Sequence, residues 1–148
     1  MQLPAVSTGL VISPARPVDA GHIWALLEAE DLDRSAFVLG DFVVAKDASG
    51  RFAGCARLKP YDDCIELSGV AVSPAYRGQG MGSTIVAALL RHSLASMIYL
   101  ICEPKEVAFF CRFGFVVIPR QDRPMSLEPK LCAYEAKLGA MVVMKCER

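Results

Sequence analysis

Residues Val70 to Gly82, V-A-V-S-P-A-Y-R-G-Q-G-M-G, combine types and spacing that suit binding a phosphorylated ligand. An apolar run (Ile65, Leu67, Val70, Ala71, Val72) reads as a strand that empties into a turn at Ser73-Pro74. Gly78, Gly80 and Gly82 follow, and then an apolar-periodic helix from Ser83 to Ala95. The first turn of a helix leaves backbone N–H groups without acceptors, and the helix dipole adds partial positive charge there. Glycines let that backbone approach a bulky anion. Gln79, Gly80, Met81, Gly82 and Ser83 thus form a candidate cradle for a phosphate or pyrophosphate, with Arg77 at its entrance able to add a charge-assisted contact.

Two common phosphate loops fail on spacing. A Walker A loop needs a Lys after its last glycine, and none follows Gly82. A dinucleotide fingerprint, G-x-G-x-x-G, would need its third glycine one residue later and an acidic residue closing a second strand. A third template, R/Q-x-x-G-x-G/A, is met by Arg77, Gly80 and Gly82. Downstream, A-F-F-C-R-F-G-F (Ala108 to Phe115) contains a second pattern, F-[YF]-x-x-x-G-F, a helix closed by a glycine before a strand. On these two motifs and the order of elements between them, the chain resembles the GCN5-related N-acetyltransferase (GNAT) superfamily.

The remaining elements follow from local signals. Leu10 to Arg16 reads as a first strand, and Pro17 opens a helix with Ala20, Ile23, Trp24 and Leu27 on one face. Runs at Asp41–Lys46 and Arg51–Lys59 flank D-A-S-G (Asp47 to Gly50), a hairpin signal. Tyr61-Asp62-Asp63 turns the chain into the strand carrying Glu66 to Val72. Met97–Cys102 is a short buried-type strand, and Phe115–Ile118 another. Pro119–Lys130, with three prolines among charges, reads as a loop before a last helix and a strand at Ala140–Lys145. The resemblance implies an α/β (α+β) fold: one domain over residues 1–148, a mixed, mainly antiparallel sheet of about six to seven strands, and about four flanking helices.

Composition narrows the partners. The 148 residues are 53% hydrophobic, yet no apolar run is long enough to span a bilayer, and no secretion signal opens the chain. A soluble, cytoplasmic protein is expected, with no membrane association. Sixteen basic and sixteen acidic residues balance to zero without a basic-aromatic stripe, which argues against nucleic acid. Glu28, Glu30, Asp31 and Asp33 crowd the end of the first helix, as a patch for a cationic amine or, more simply, as a solvated helix end. Six cysteines form no C-x-x-C pair and have no nearby histidine, so reduced thiols and no metal site are expected.

What the resemblance implies about chemistry can be placed residue by residue. The donor is acetyl-CoA, held by the loop from Arg77 through Gly78 to Ser83. Its pantetheine arm would pair with an exposed edge of the strand at Val70, Ala71 and Val72, and a main-chain N–H at Val70 would polarise the thioester carbonyl. Phe109 and Phe110 fall in the second motif, on the cofactor side of the family's site. Glu66 stands where many relatives carry a general base, although a strand glutamate can equally be solvated or salt-bridged; Glu103 is a second candidate. Phe110 replaces the tyrosine that reprotonates the thiolate in relatives, leaving water or Cys102, Cys111 or Tyr99 for that task. The double-Phe motif, the R-x-x-x-P segment from Arg120 to Pro124 and the apolar C-terminus are loosely similar to the amino-acid-acetylating branch. The expected activity is acetyl transfer to the primary amine of a small molecule. A protein acetyltransferase and a non-catalytic acyl-CoA sensor are the alternatives, and the resemblance allows a homodimer.

Overall fold

A computed structural model describes residues 3–4 and 9–148. Its strands are β1 (Leu3–Pro4), β2 (Val11–Pro14), β3 (Phe42–Lys46), β4 (Phe52–Pro60), β5 (Ile65–Val72), β6 (Met97–Cys102), β7 (Val116–Ile118) and β8 (Val142–Glu147). The helices are α1 (Ala20–Ala29), α2 (Met81–His92), α3 (Val107–Cys111) and α4 (Glu128–Leu138). Hydrogen-bonded strand order is β1-β2-β3-β4-β5-β6-β8-β7, with β5 and β6 parallel and the other registered pairs antiparallel. This is the expected mixed, mainly antiparallel sheet with four helices; the additional strand is the two-residue β1.

Two compact units divide the chain, Met1–Leu58 with Ser68–Ser93 and Lys59–Leu67 with Leu94–Arg148. In the first, Pro17–Asp19 forms a 3-10 turn that leads into α1, Pro standing where a helix start lacks an N–H acceptor anyway. Asp19 is buried there against the Lys46 ammonium at 2.9 Å and the Arg16 N–H at 2.8 Å. Burial raises its pKa, but these two partners outweigh that and hold the carboxyl below its usual value. Ile23, Leu26 and Leu27 of α1 pack with Phe42, Val44, Cys55 and Ala71 into one core. Trp24, expected on that face, is 43% exposed instead and meets the edge of Phe37. Leu26 takes the core position, so the buried stripe of α1 lies one step further round the helix.

The β3–β4 hairpin turns at D-A-S-G as expected. Asp47 Oδ1 accepts from the Ser49 and Arg51 N–H groups, and the Asp47 N–H reaches the Arg51 carbonyl at 2.9 Å. On β4, a Cβ at Gly54 would stand 2.6 Å from the Ala71 carbonyl oxygen and 3.0 Å from Ile85 Cδ1. Only hydrogen fits between this backbone, the Ala71 carbonyl of β5 and the Ile85 side chain of α2. Gly54→Ala is therefore expected to cost about 1–3 kcal/mol through overpacking. Calorimetry should record a lower Tm; an unchanged Tm would show that the β5 backbone and Ile85 can both give way.

In the second unit β6, β8 and β7 form an antiparallel ladder in which Met97–Cys102 face Glu147–Val142. Ile118, Leu131 and Val143 pack beneath it. The segment expected as one long loop contains 3-10 turns at Arg120–Asp122 and Met125–Leu127, and α4 already begins at Glu128 with Pro129 in its first turn. The terminal strand runs on to Glu147, beyond the expected end at Lys145.

Candidate functional site

In the first unit, strand β5 runs through Ser73 and a 3-10 turn at Pro74–Tyr76 into the glycine loop and α2. Gly80 is the N-cap of α2 at φ +75, and Gly78 stands at φ +77. Both are left-handed conformations that side chains resist. Added Cβ atoms at either position would meet nothing within 4 Å, so the space in front of the loop is open. Residues 77–80 are exposed, while Met81 turns its side chain into the core and leaves only its backbone facing outward. The Thr84 N–H is the first to find a helical acceptor, Gly80 O at 3.3 Å. The N–H groups of Met81, Gly82 and Ser83 precede that first helical bond. Convergent amide hydrogens, positive dipole and open space are what a pyrophosphate requires.

Arg77 is not loose in solvent. Its Nε donates to the Val72 carbonyl at 3.1 Å, and its Nη2 pairs with Glu30 from the end of α1. Glu30, one of the four acidic residues at that helix end, is thereby neutralised. Tyr76 donates to Asp47 Oδ2 at 2.5 Å, tying the loop to the β3–β4 hairpin.

The backbone of β5 has a defined open edge. The Ser73 N–H bonds to Ala53 O at 2.8 Å, the Cys55 thiol reaches Gly69 O, and Ala71 O lies against Gly54, so positions 69, 71 and 73 point at β4. Strand alternation then aims the N–H and C=O groups of Val70 and Val72 the opposite way. On that side β5 registers with β6 at a single position, Glu66 opposite Tyr99. The Val72 carbonyl on this edge is the one taken by Arg77. The Val70 N–H thus points away from β4.

Glu66, at the start of β5 and in the second unit, is 1% exposed. Tyr61 donates to its Oε1 at 2.8 Å, and Lys130 Nζ from α4 lies 2.7 Å from Oε2. Neither partner was marked by a motif; Lys130 falls in the proline-rich segment and Tyr61 in a turn. Glu103 caps the 3-10 turn before α3 and receives no comparable enclosure. Phe110 is buried between the rings of Phe109 and Phe115, at 5.0 and 6.1 Å, and Phe109 is half-buried. Burial pushes the Cys102 thiol up to about 12, which makes it a weaker acid than an ordinary thiol and a poor proton donor to a thiolate. Arg120 and Arg123, in the segment similar to the amino-acid-acetylating branch, are already paired with Glu128 and Glu135.

Arg57 escaped the sequence reading because it sits inside an apolar strand. It is 1% exposed and donates to the carbonyls of Ser35 and Ala36 and to Asp41. These bonds fix the loop after α1, where Asp31 and Ala36 adopt positive φ. All six cysteines are free thiols. No helix among the described residues is long and apolar enough to cross a membrane.

No curated protein matches the chain. Among solved structures it is similar to N-acetylglutamate synthase from Neisseria gonorrhoeae, solved with coenzyme A and N-acetyl-glutamate, at 23% identity and TM-score 0.73. That match covers 93% of this chain and 35% of the synthase, so the chain spans about a third of that enzyme. Rv2747 from Mycobacterium tuberculosis, solved with CoA and NLQ, is similar at 23% identity and TM-score 0.73, covering 93% of this chain and 99% of that one. Ard1 from Thermoplasma volcanium shares 16% identity at TM-score 0.62, over 94% of this chain and 97% of its own. At these identities the likeness is one of fold. The acetyltransferase (GNAT) family model matches residues 12–115, well over half of the sequence and spanning both motifs. The chain belongs to the acetyltransferase (GNAT) family.

Proposed function

We propose that the protein transfers the acetyl group of acetyl-CoA to the primary amine of a small molecule, by direct attack in a ternary complex. The observation that carries this reading is the continuity of β5: an edge with the Val70 N–H turned outward leads directly into a glycine loop and helix start shaped for pyrophosphate. The loop amides from Gln79 to Ser83 hold the diphosphate, and the pantetheine arm pairs along Val70–Val72. The Val70 N–H donates to the thioester oxygen as it becomes an oxyanion, a contact worth about 2.7–4 kcal/mol in comparable acyl transfers. The amine nitrogen bonds to the carbonyl carbon, the C–S bond breaks, and the amine proton goes to Glu66. Because Phe110 has no proton to give and Cys102 holds its own tightly, the departing thiolate is protonated by solvent.

Amino acids head the candidate acceptors, since the synthase of similar fold was solved with N-acetyl-glutamate. The test is thiol release from acetyl-CoA with free amino acids, polyamines and lysine-bearing or N-terminal peptides as acceptors. Turnover with a small amine and not with peptides is the expected result. Turnover with peptides alone would make the protein a protein acetyltransferase, and tight acetyl-CoA binding without turnover would make it a sensor.

A further inference from the structure

Glu66 is enclosed on both oxygens, by the Tyr61 hydroxyl on Oε1 and the Lys130 ammonium on Oε2. A carboxylate this buried receives a proton through whichever neighbour reaches the substrate. An ammonium has no lone pair with which to accept one, whereas a phenol donates and accepts at the same oxygen. Tyr61 is also the half-buried member of the pair of hydrogen-bonded side chains, where Glu66 is fully buried. The turn holds it firmly: the Tyr61 N–H bonds to Cys64 O at 2.8 Å, and the Lys59 ammonium lies 5.2 Å from the ring centroid.

We propose that Tyr61 touches the acceptor amine and relays its proton to Glu66, while Lys130 is a positioning residue that keeps Glu66 aimed at Tyr61. This rests on the preceding reading of the chain as an amine acetyltransferase with Glu66 as base. As the nitrogen–carbon bond forms and the C–S electron pair leaves with sulfur, the amine proton moves to the Tyr61 oxygen. The phenol's own proton moves at the same time to Glu66 Oε1. Tyr61 stays neutral throughout, Glu66 ends protonated, and its proton returns to solvent through the same hydroxyl after product leaves. The ionisable groups around Glu66 are Tyr61 and Cys64 of the turn, Lys59 at the end of β4, Tyr99 opposite it on β6, and Lys130 of α4. Burial holds the Cys64 thiol up at about 12, so it stays neutral, while the Lys130 ammonium is in hydrogen-bond contact with the carboxylate.

The experiment compares Tyr61→Phe, Lys130→Met and Lys130→Arg with the wild-type protein, using a strongly basic alkylamine and its alkoxyamine analogue, which is already neutral at neutral pH. Tyr61→Phe keeps the ring and removes only the hydroxyl. Its rate with the alkylamine should fall by about 100-fold, with little loss on the alkoxyamine and unchanged acetyl-CoA affinity. Lys130→Met should lower the rate on the alkylamine and spare the alkoxyamine, because the carboxylate loses the contact that aims it at Tyr61; Lys130→Arg should restore the alkylamine rate toward wild type. Equal losses on both amines would assign Tyr61 a packing role and overturn the relay. Wild-type kinetics in Tyr61→Phe, with Glu66→Gln still impaired, would also overturn it and leave the acetyltransferase reading standing. A wild-type protein that turns over no amine would remove that reading and the relay together.

Discussion

Gly80→Glu is expected to abolish coenzyme A binding, read as the loss of heat on titration with CoA. Three effects act together. Gly80 sits at φ +75, where any L residue is strained by roughly 1–2 kcal/mol. The new side chain would project into the open space before the loop, which is the volume assigned to the diphosphate. Its carboxylate would then take the loop amides for itself and repel a ligand of the same charge. Losing two charge-assisted hydrogen bonds alone, at about 1.5–3 kcal/mol each, weakens binding by at least about 100-fold. Gly80→Ala separates the causes. Its Cβ meets nothing within 4 Å, so it carries the backbone strain without the charge or the bulk. It should bind CoA far better than the glutamate variant. If Gly80→Glu bound with wild-type affinity, the anion site would have to lie elsewhere on the molecule.

That loop was legible in the sequence because its physics is local. A strand, three glycines and an apolar helix within a short stretch leave few conformations, and the structure places the left-handed residues at Gly78 and Gly80 among them. The hairpin at Asp47 and the strands Met97–Cys102 and Ile65–Val72 were legible for the same reason. Where sequence reasoning went astray, partners distant in the chain decided the outcome. Trp24 has helical spacing with Ile23 and Leu27, yet Phe37 and Arg34 meet it outside the core, and nothing in α1 itself announces that. Arg57 interrupts an apolar strand because three acceptors at Ser35, Ala36 and Asp41 hold its guanidinium. Glu66 could be named as a base from its place before Val70. Its enclosure by Tyr61 and Lys130 could not, since no periodicity links a strand carboxylate to one lysine of a distant helix.

Glu66→Gln is expected to lower the rate with an alkylamine by about 10²–10⁴-fold, with the largest deficit at low pH. The sign follows from the amine. With a pKa near 10 it is almost wholly protonated at neutral pH, and each unit downward removes about nine-tenths of the remaining free base. The wild-type enzyme can bind the ammonium form and take its proton. The amide variant must wait for the free base from solution, so its rate should climb about tenfold per pH unit until the amine pKa is reached, and the gap to wild type should close there. The substitution is close to isosteric, but it removes the charge that the Lys130 ammonium meets at 2.7 Å, a loss of about 3–5 kcal/mol in comparable buried pairs. Stability and catalysis are therefore measured apart. The melting temperature reports the first, and acetyl-CoA affinity at a temperature where the variant is folded should be unchanged. If the variant kept the wild-type pH profile while folded and donor-bound, Glu66 would be a structural carboxylate, its pairing with Lys130 anchoring α4, and the amine would lose its proton to water.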